Sequence, residues 1–172
     1  MNMGINFRLN YTVADLQEEK ENGRFDAVYL SIGAQKIQPE SFVNDQSVMI
    51  TDAFTFFRDS KTNPSPFMQK KVVVYGGGKL ALYLSRMLKR FGSDVTVYFP
   101  GDKKMMPAYD YETEDALAEG VHIHLLKKID RVENKQVVLE DLQIEKGKAT
   151  GTGKMEYAAA DVLIIANRQE SD

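Results

Sequence analysis

Apolar residues follow three rhythms along this chain. Lys71-Val-Val-Val-Tyr75 is a short β-branched run, the mark of a strand covered on both faces. Apolar positions then recur at Leu80, Ala81, Leu84, Met87, Leu88 and Phe91, which is one face of a helix. Gly92 offers the positive φ that closes such a helix. Val95 to Phe99 is a second β-branched run, so Lys71 to Phe99 predicts β-α-β and a parallel sheet covered by helices. After Gly120 the rhythm shortens. "VHIHLL", "KIDRVE", "KQVVLEDLQIEKG" and "KMEYA" are spaced by Lys, Asn and Gly and predict an antiparallel meander before a last apolar strand, "ADVLIIA".

Towards the N-terminus the pattern is sparser. Ile5-Asn6-Phe7-Arg8-Leu9 alternates as a short strand does, Val13 to about Asn22 suits a short helix, and "FDAVYLSIGA" looks like a buried strand. The three stretches are residues 1–45, a connector over 46–70, and 71–172. The connector holds one helix, "TDAFTFFRDS", with Thr51 or Asp52 as its N-cap, and Phe54, Phe56 and Phe57 to pin it to the sheet. No internal repeat and no low-complexity tract interrupts the chain.

Composition narrows the class. A chain of 172 residues, 43% hydrophobic and 27% charged, suits one globular domain, or one with an appendage. The balance of 22 basic and 25 acidic residues, net −3, argues against nucleic acid or an anionic membrane as partner. With no cysteine, a redox dithiol and cysteine-ligated iron–sulfur or zinc sites are excluded from these residues. The opening residues lack a signal-type apolar core, and no apolar run nears the ~20 residues that cross a bilayer. Cytoplasm is the expected location.

The glycines carry the candidate chemistry. Gly76-Gly77-Gly78-Lys79-Leu80-Ala81 fits G-x-G-x-x-G/A. The first glycine serves the tight turn, the second lets backbone approach a pyrophosphate, and Ala81 takes the third place in helix–strand packing. The helix N-terminus adds free N–H groups and about half a positive charge. Strand, triplet and helix together predict an α/β, Rossmann-like NAD(P)-binding domain: a central parallel sheet with helices on both faces, plus a small antiparallel β-meander. The plainer alternative is a tight strand-to-helix turn with no ligand. Lys79, in the first turn, opposes the helix dipole unless an anion binds there or its side chain swings into solvent.

The end of the second strand bears on which nucleotide binds. A free 2′-hydroxyl usually meets a carboxylate there, and a 2′-phosphate calls for Arg or Lys. Phe99 runs into Pro100-Gly101, with Lys103 and Lys104 within reach of a 2′-phosphate and Asp102 as an alternative partner for a hydroxyl. The lysines favour NADP(H) over NAD(H). Other clusters have plainer readings. His122 and His124 share a strand face without a third ligand. Asp110, Glu112, Glu114, Asp115 and Glu119 form a solvated helix face, and Met105 and Met106 are core filler. Ser31, Ser85 and Ser93 fit no nucleophile elbow.

"MMPAYDYETEDALAEGVHIHLL" after a triple-glycine turn resembles the NADPH-binding domain of glutamate synthase small (beta) subunits, within the FAD-dependent pyridine nucleotide-disulphide oxidoreductases. "GINFRLN", "FDAVYLSIGAQK" and "ADVLIIANRQESD" resemble the flanking segments, so the likeness spans nearly the whole chain in order. The resemblance implies a nucleotide domain inserted within an FAD domain, of which residues 1–45 are a remnant, and electrons passing from NADPH to FAD. It implies that Gly76, Gly78, Lys79, Leu80 and Ala81 hold the pyrophosphate; Gly77, Phe99, Lys103 and Lys104 complete the expected cofactor-binding set, with no catalytic residue and no metal ligand. Three departures stand out. Pro100 and Gly101 occupy the place of an arginine pair that would grip the 2′-phosphate, Lys79 stands for Asn, and Arg168 stands for a glycine that approaches FAD. Only one glycine fingerprint is present, which suits an excised piece, a split subunit or a degenerate relative. The chain is expected to bind dinucleotide and not to catalyse alone; its expected partners are a dinucleotide and an FAD-containing domain or subunit. The alternative is a degenerate domain serving as an assembly module.

Overall fold

The computed structural model describes residues 3–33, 36–37, 40–167 and 169–170. The chain divides into two compact units, Met1–Gly33 and Ala34–Asp172. In the first, one helix forms, α1 (Leu16–Gly23), capped by Asp15, whose Oδ1 accepts from the N–H groups of Gln17 at 2.7 Å and Glu18 at 3.0 Å. It begins within the helical stretch expected there. The strands expected over Ile5–Leu9 and through "FDAVYLSIGA" are not assigned among the described residues, and Phe7 and Tyr29 are 80% and 91% exposed. Alternation specifies a strand only where a neighbouring strand completes the ladder. No such ladder forms among the described residues of this unit.

In the second unit the elements are, in order, β1 (Lys36–Ile37), β2 (Val43–Asn44), β3 (Met49–Asp52), α2 (Ala53–Thr62), β4 (Lys71–Tyr75), α3 (Lys79–Arg90), β5 (Asp94–Phe99), α4 (Asp110–Ala118) and β6 (His122–Leu125), followed by β7 (Lys127–Glu133), β8 (Gln136–Glu145), β9 (Lys148–Ala159), β10 (Val162–Ile165) and β11 (Gln169–Glu170). The central sheet is five-stranded, ordered β3-β10-β4-β5-β6, and parallel throughout. A second sheet, β2-β7-β8-β9, has antiparallel meander pairings with β2 added in parallel to β7; β1 and β11 form a separate antiparallel pair. The parallel sheet, helices and meander expected from the sequence are all present.

Three details differ from the expectation. The connector contains a strand, β3, which pairs with β10 from Met49↔Val162 to Asp52↔Ile165. "VHIHLL" supplies β6, an edge strand parallel to β5, because α4 makes the crossover that a parallel neighbour needs. The described helices of this unit gather on one face of the sheet, and the meander covers the other. Alternation along the central strands shows the division. Val72, Val74, Val95, Val97 and Ile164 share a core with Phe56, Leu84 and Leu88 of the helices. Val73, Tyr75, Tyr98, Leu163 and Ile165 pack with Ile129, Val137 and Leu139 of the meander. A strand buried on both faces reads as an unbroken apolar run whichever element covers it.

Local chemistry explains the helices. Asp52 caps α2, accepting from the N–H groups of Phe54 at 2.9 Å and Thr55 at 3.0 Å, and Phe56 meets Phe67 edge-on in the core. The acidic face of α4 is partly tied down rather than simply solvated. Arg86 of α3 donates to Glu119 at 2.7 Å and to Asp115 at 3.0 Å, while Arg90 donates to Glu119 at 2.8 Å. Met106 is buried as expected, whereas Met105 is exposed. Tyr98 ties the two sheets, donating to Glu156 at 3.0 Å; Lys127 pairs with Glu156 and Asp141.

The hydrogen bonds from Arg90 and then Arg86 hold the Glu119 carboxyl below its ordinary range. A depressed folded value means that this contribution is present above the unfolded carboxylate pKa, about 4.3, and is lost as pH falls through the folded value. Glu119→Gln lacks the carboxylate at every pH. The difference in Tm between wild type and Glu119→Gln is therefore expected to shrink as pH falls from about 7 to about 3, read by scanning calorimetry.

Candidate functional site

The connection from β4 to α3 passes through three glycines with different surroundings. Gly76 has φ 151° and donates its N–H to the Tyr98 carbonyl at 3.0 Å. A Cβ there would lie 2.2 Å from the Ala166 carbonyl oxygen, at the end of β10, so backbone presses on backbone. A Cβ on Gly77 would sit 2.6 Å from the Phe99 ring. Gly78 is the N-cap of α3; it has no side-chain capping bond, and a Cβ there would meet nothing within 4 Å. The helix thus begins without a side-chain cap and with space beside Gly78, an arrangement that suits an anion. Ala81 is wholly buried and Leu80 half-buried against the core.

Around this turn the charges are already engaged. Lys79 is exposed, with its Nζ 3.6 Å from Glu112. Glu112 is buried, and its carboxylate accepts from the Tyr109 N–H at 3.0 Å, capping α4. A small cleft of about 190 Å³ between α3 and α4 is lined by Lys79, Leu82, Tyr83, Arg86, Tyr111 and Glu112.

Beyond β5, Phe99 lies between two glycines. A Cβ on Gly101 would fall 2.7 Å from its ring and 2.9 Å from the Met105 Cβ. Asp102 accepts from the Met105 N–H at 2.9 Å, which gives that carboxylate a turn-capping role. Lys103 points to α4, with its Nζ 3.0 Å from Asp110 and 3.2 Å from the Thr113 hydroxyl; Lys104 is exposed. Lys103, Met106, Thr113, Leu117, Ile123 and Leu125 border a second cleft of about 350 Å³. Arg168 lies outside the described residues.

The described residues hold no group of three or more His, Cys, Asp or Glu side chains able to bind a metal ion, and no helix among them is long and apolar enough to cross a membrane. His124 meets the Tyr98 ring at 5.1 Å. Sequence reasoning put Glu112, which is buried and reaches Lys79, on a solvated helix face, and passed over Asn167, just past β10. A polar residue following an apolar parallel strand was the available signal for Asn167, since crevices in such folds open at carboxyl strand ends.

Comparison with known proteins gives this arrangement relatives. The pattern of the pyridine nucleotide-disulphide oxidoreductases matches residues 3–167. The NADPH-Fe(3+) oxidoreductase subunit beta of Geobacter sulfurreducens is 30% identical over 148 residues, covering 81% of this chain and 22% of that protein. The NADP(+)-dependent formate dehydrogenase subunit beta of Moorella thermoacetica is 29% identical over 129 residues, 72% of this chain and 18% of that protein. This chain thus spans roughly a fifth of the length of these curated relatives. Among solved structures, thioredoxin reductase from Giardia duodenalis superposes with a TM-score of 0.59 at 17% identity, covering 77% of this chain and 41% of that one; it shares the fold.

The three glycines are expected to tolerate change differently. Gly76→Ala puts a side chain against the Ala166 carbonyl at a φ that L residues rarely adopt, and should cost more than about 3 kcal/mol in urea unfolding. Gly78→Ala, which faces open space, should stay within about 1 kcal/mol of wild type.

Proposed function

The chain belongs to the pyridine nucleotide-disulphide oxidoreductase family, and on that premise we propose that it is an NAD(P)H-binding domain of a flavin oxidoreductase, taking NADPH in preference to NADH. The open, uncapped start of α3 at Gly78 carries this reading, because it offers backbone N–H groups and the positive end of a helix to a diphosphate. Gly76 and Gly77 let the turn lie close to β10 and Phe99, and Ala81 lets α3 sit on the sheet. Lys79 then exchanges part of its contact with Glu112 for phosphate.

Two relatives whose names include NADPH or NADP(+) support the coenzyme preference. Lys104 is the cation best placed by exposure to meet a 2′-phosphate, and Lys103 joins it by leaving Asp110. When bound, the nucleotide supplies a hydride for a flavin acceptor. This chain's own part is to hold and orient the nucleotide, so alone it binds and does not turn over. The engagement of Lys103 with Asp110 and Thr113 favours a second reading, a nucleotide-blind domain that serves in assembly.

Calorimetric titration separates the two readings. Micromolar binding of NADPH, and weaker binding of NADH, is expected of the first; no heat and no rise in Tm with either nucleotide rejects it. Gly78→Leu should weaken binding on the order of a hundredfold or more, because two charge-assisted contacts at about 1.5–3 kcal/mol each are blocked. Lys103→Ala combined with Lys104→Ala should reduce NADPH affinity at least about tenfold and leave NADH affinity unchanged.

A further inference from the structure

We propose that Asn167 reads the carboxamide of the bound pyridine ring: its side-chain Oδ1 accepts a hydrogen bond from the ring's amide N–H, while Glu40 fixes the orientation of the side chain. This assignment rests on the NAD(P)H reading of the Gly76–Gly78 turn. Its starting point is the order of the central sheet. From β4 the chain moves outward through β5 to β6, whereas β10 and β3 lie on the other side of β4. The reversal falls between β4 and β10, and doubly wound sheets take their ligands outside the carboxyl ends of the strands at such a reversal.

Asn167 stands at that place. Ile165 pairs with Tyr75, and the Ala166 N–H donates to the Tyr75 carbonyl at 2.8 Å. A Cβ built on Gly76 would lie 3.1 Å from the Asn167 nitrogen. Asn167 therefore borders the turn that receives the diphosphate, on the side away from β5. The adenosine half of a dinucleotide goes to the end of the second strand, here β5. The pyridine half then extends towards β10.

The chemistry of the side chain narrows the partner. Nδ2 of Asn167 donates to the Glu40 carboxylate. An ionised carboxylate only accepts, so this contact decides which way the amide is turned and leaves the oxygen facing elsewhere. That oxygen is buried and has no hydrogen-bond partner among the described residues. Buried acceptors are nearly always satisfied, so this one calls for a donor. A nicotinamide ring carries one donor group, its carboxamide –NH2. Glu40 is a positioning residue, because it acts through Asn167.

Calorimetry on the full chain tests this with three ligands: NADP+, its 3-acetylpyridine analogue, in which a methyl replaces the amide –NH2, and 2′-phospho-ADP-ribose, which lacks the ring. The wild-type chain is expected to favour NADP+ over the analogue by about five- to tenfold. Asn167→Ala should bind NADP+ and the analogue equally, at the wild-type affinity for the analogue, and should bind 2′-phospho-ADP-ribose as wild type does. Glu40→Ala should narrow the preference for NADP+ without altering 2′-phospho-ADP-ribose binding. Wild-type binding with no preference between NADP+ and the analogue refutes the assignment without any substitution. So does a preference that survives in Asn167→Ala, or an equal loss of 2′-phospho-ADP-ribose in that variant, which would place the contact on a ribose hydroxyl. In each of these cases the nucleotide reading stands. A wild-type chain that binds none of the three ligands, and no NADH either, overturns that reading, and this assignment with it.

Discussion

The backbone contact between Gly76 and Ala166 governs the arrangement of everything near the candidate site. A Cβ at Gly76 would overlap the Ala166 carbonyl, so β4 can turn into α3 beside β10 only with glycine at this position. Two consequences follow from one close approach. The start of α3, which no side chain caps, is brought to the carboxyl edge of the sheet. The chain leaving β10 is held against the same turn, which puts Asn167 beside it. A looser turn would part these two features.

The sheet that bears this turn is insulated from water on both sides by different means. Helices pack on Val72, Val74 and Val97, and the meander packs on Val73, Tyr75 and Tyr98. The meander face also carries polar ties. Burial and the bond to Glu156 push the Tyr98 phenol above its ordinary pKa, so it remains a donor. Lys127 balances Glu156 and Asp141 on the same side. In the proposed reading the ligand takes the carboxyl edge of the sheet, in keeping with the general behaviour of parallel sheets.

How much of this was legible depended on the range over which each element is specified. β4, α3 and β5 are specified locally by β-branched runs, an apolar stripe and flanking glycines, and they form where the pattern puts them. Asp52 caps α2 by a contact two and three residues away, which a sequence displays directly. β3 is only four residues, and its partner β10 begins at Val162, so nothing nearby in sequence announces it. Apolar runs show that a strand is buried without showing what buries it, so the meander's place on one face was not visible. Segments such as Ile5–Leu9 alternate without becoming strands, because alternation describes one side of a ladder that needs two. At the candidate site the glycines were legible as a motif. The unpaired oxygen of Asn167 was not, since it depends on a carboxylate 127 positions away.

Glycine at position 101 has a packing cause. Phe99 ends β5 with its ring between Gly77 and Gly101, and a side chain on either glycine would strike that ring. Glycine at 101 is therefore tied to phenylalanine at 99, and an arginine there would have to displace the ring from the turn. Asp102 then folds the chain back through its bond to the Met105 N–H, bringing Lys103 and Lys104 to the rim where the strand ends. In the proposed reading, cationic recognition of a 2′-phosphate has moved from the strand end to this following turn. Lysine suits that position better than it would suit the strand end. Its long stem spans the added distance, and its point charge does not need the fixed planar approach that a guanidinium makes.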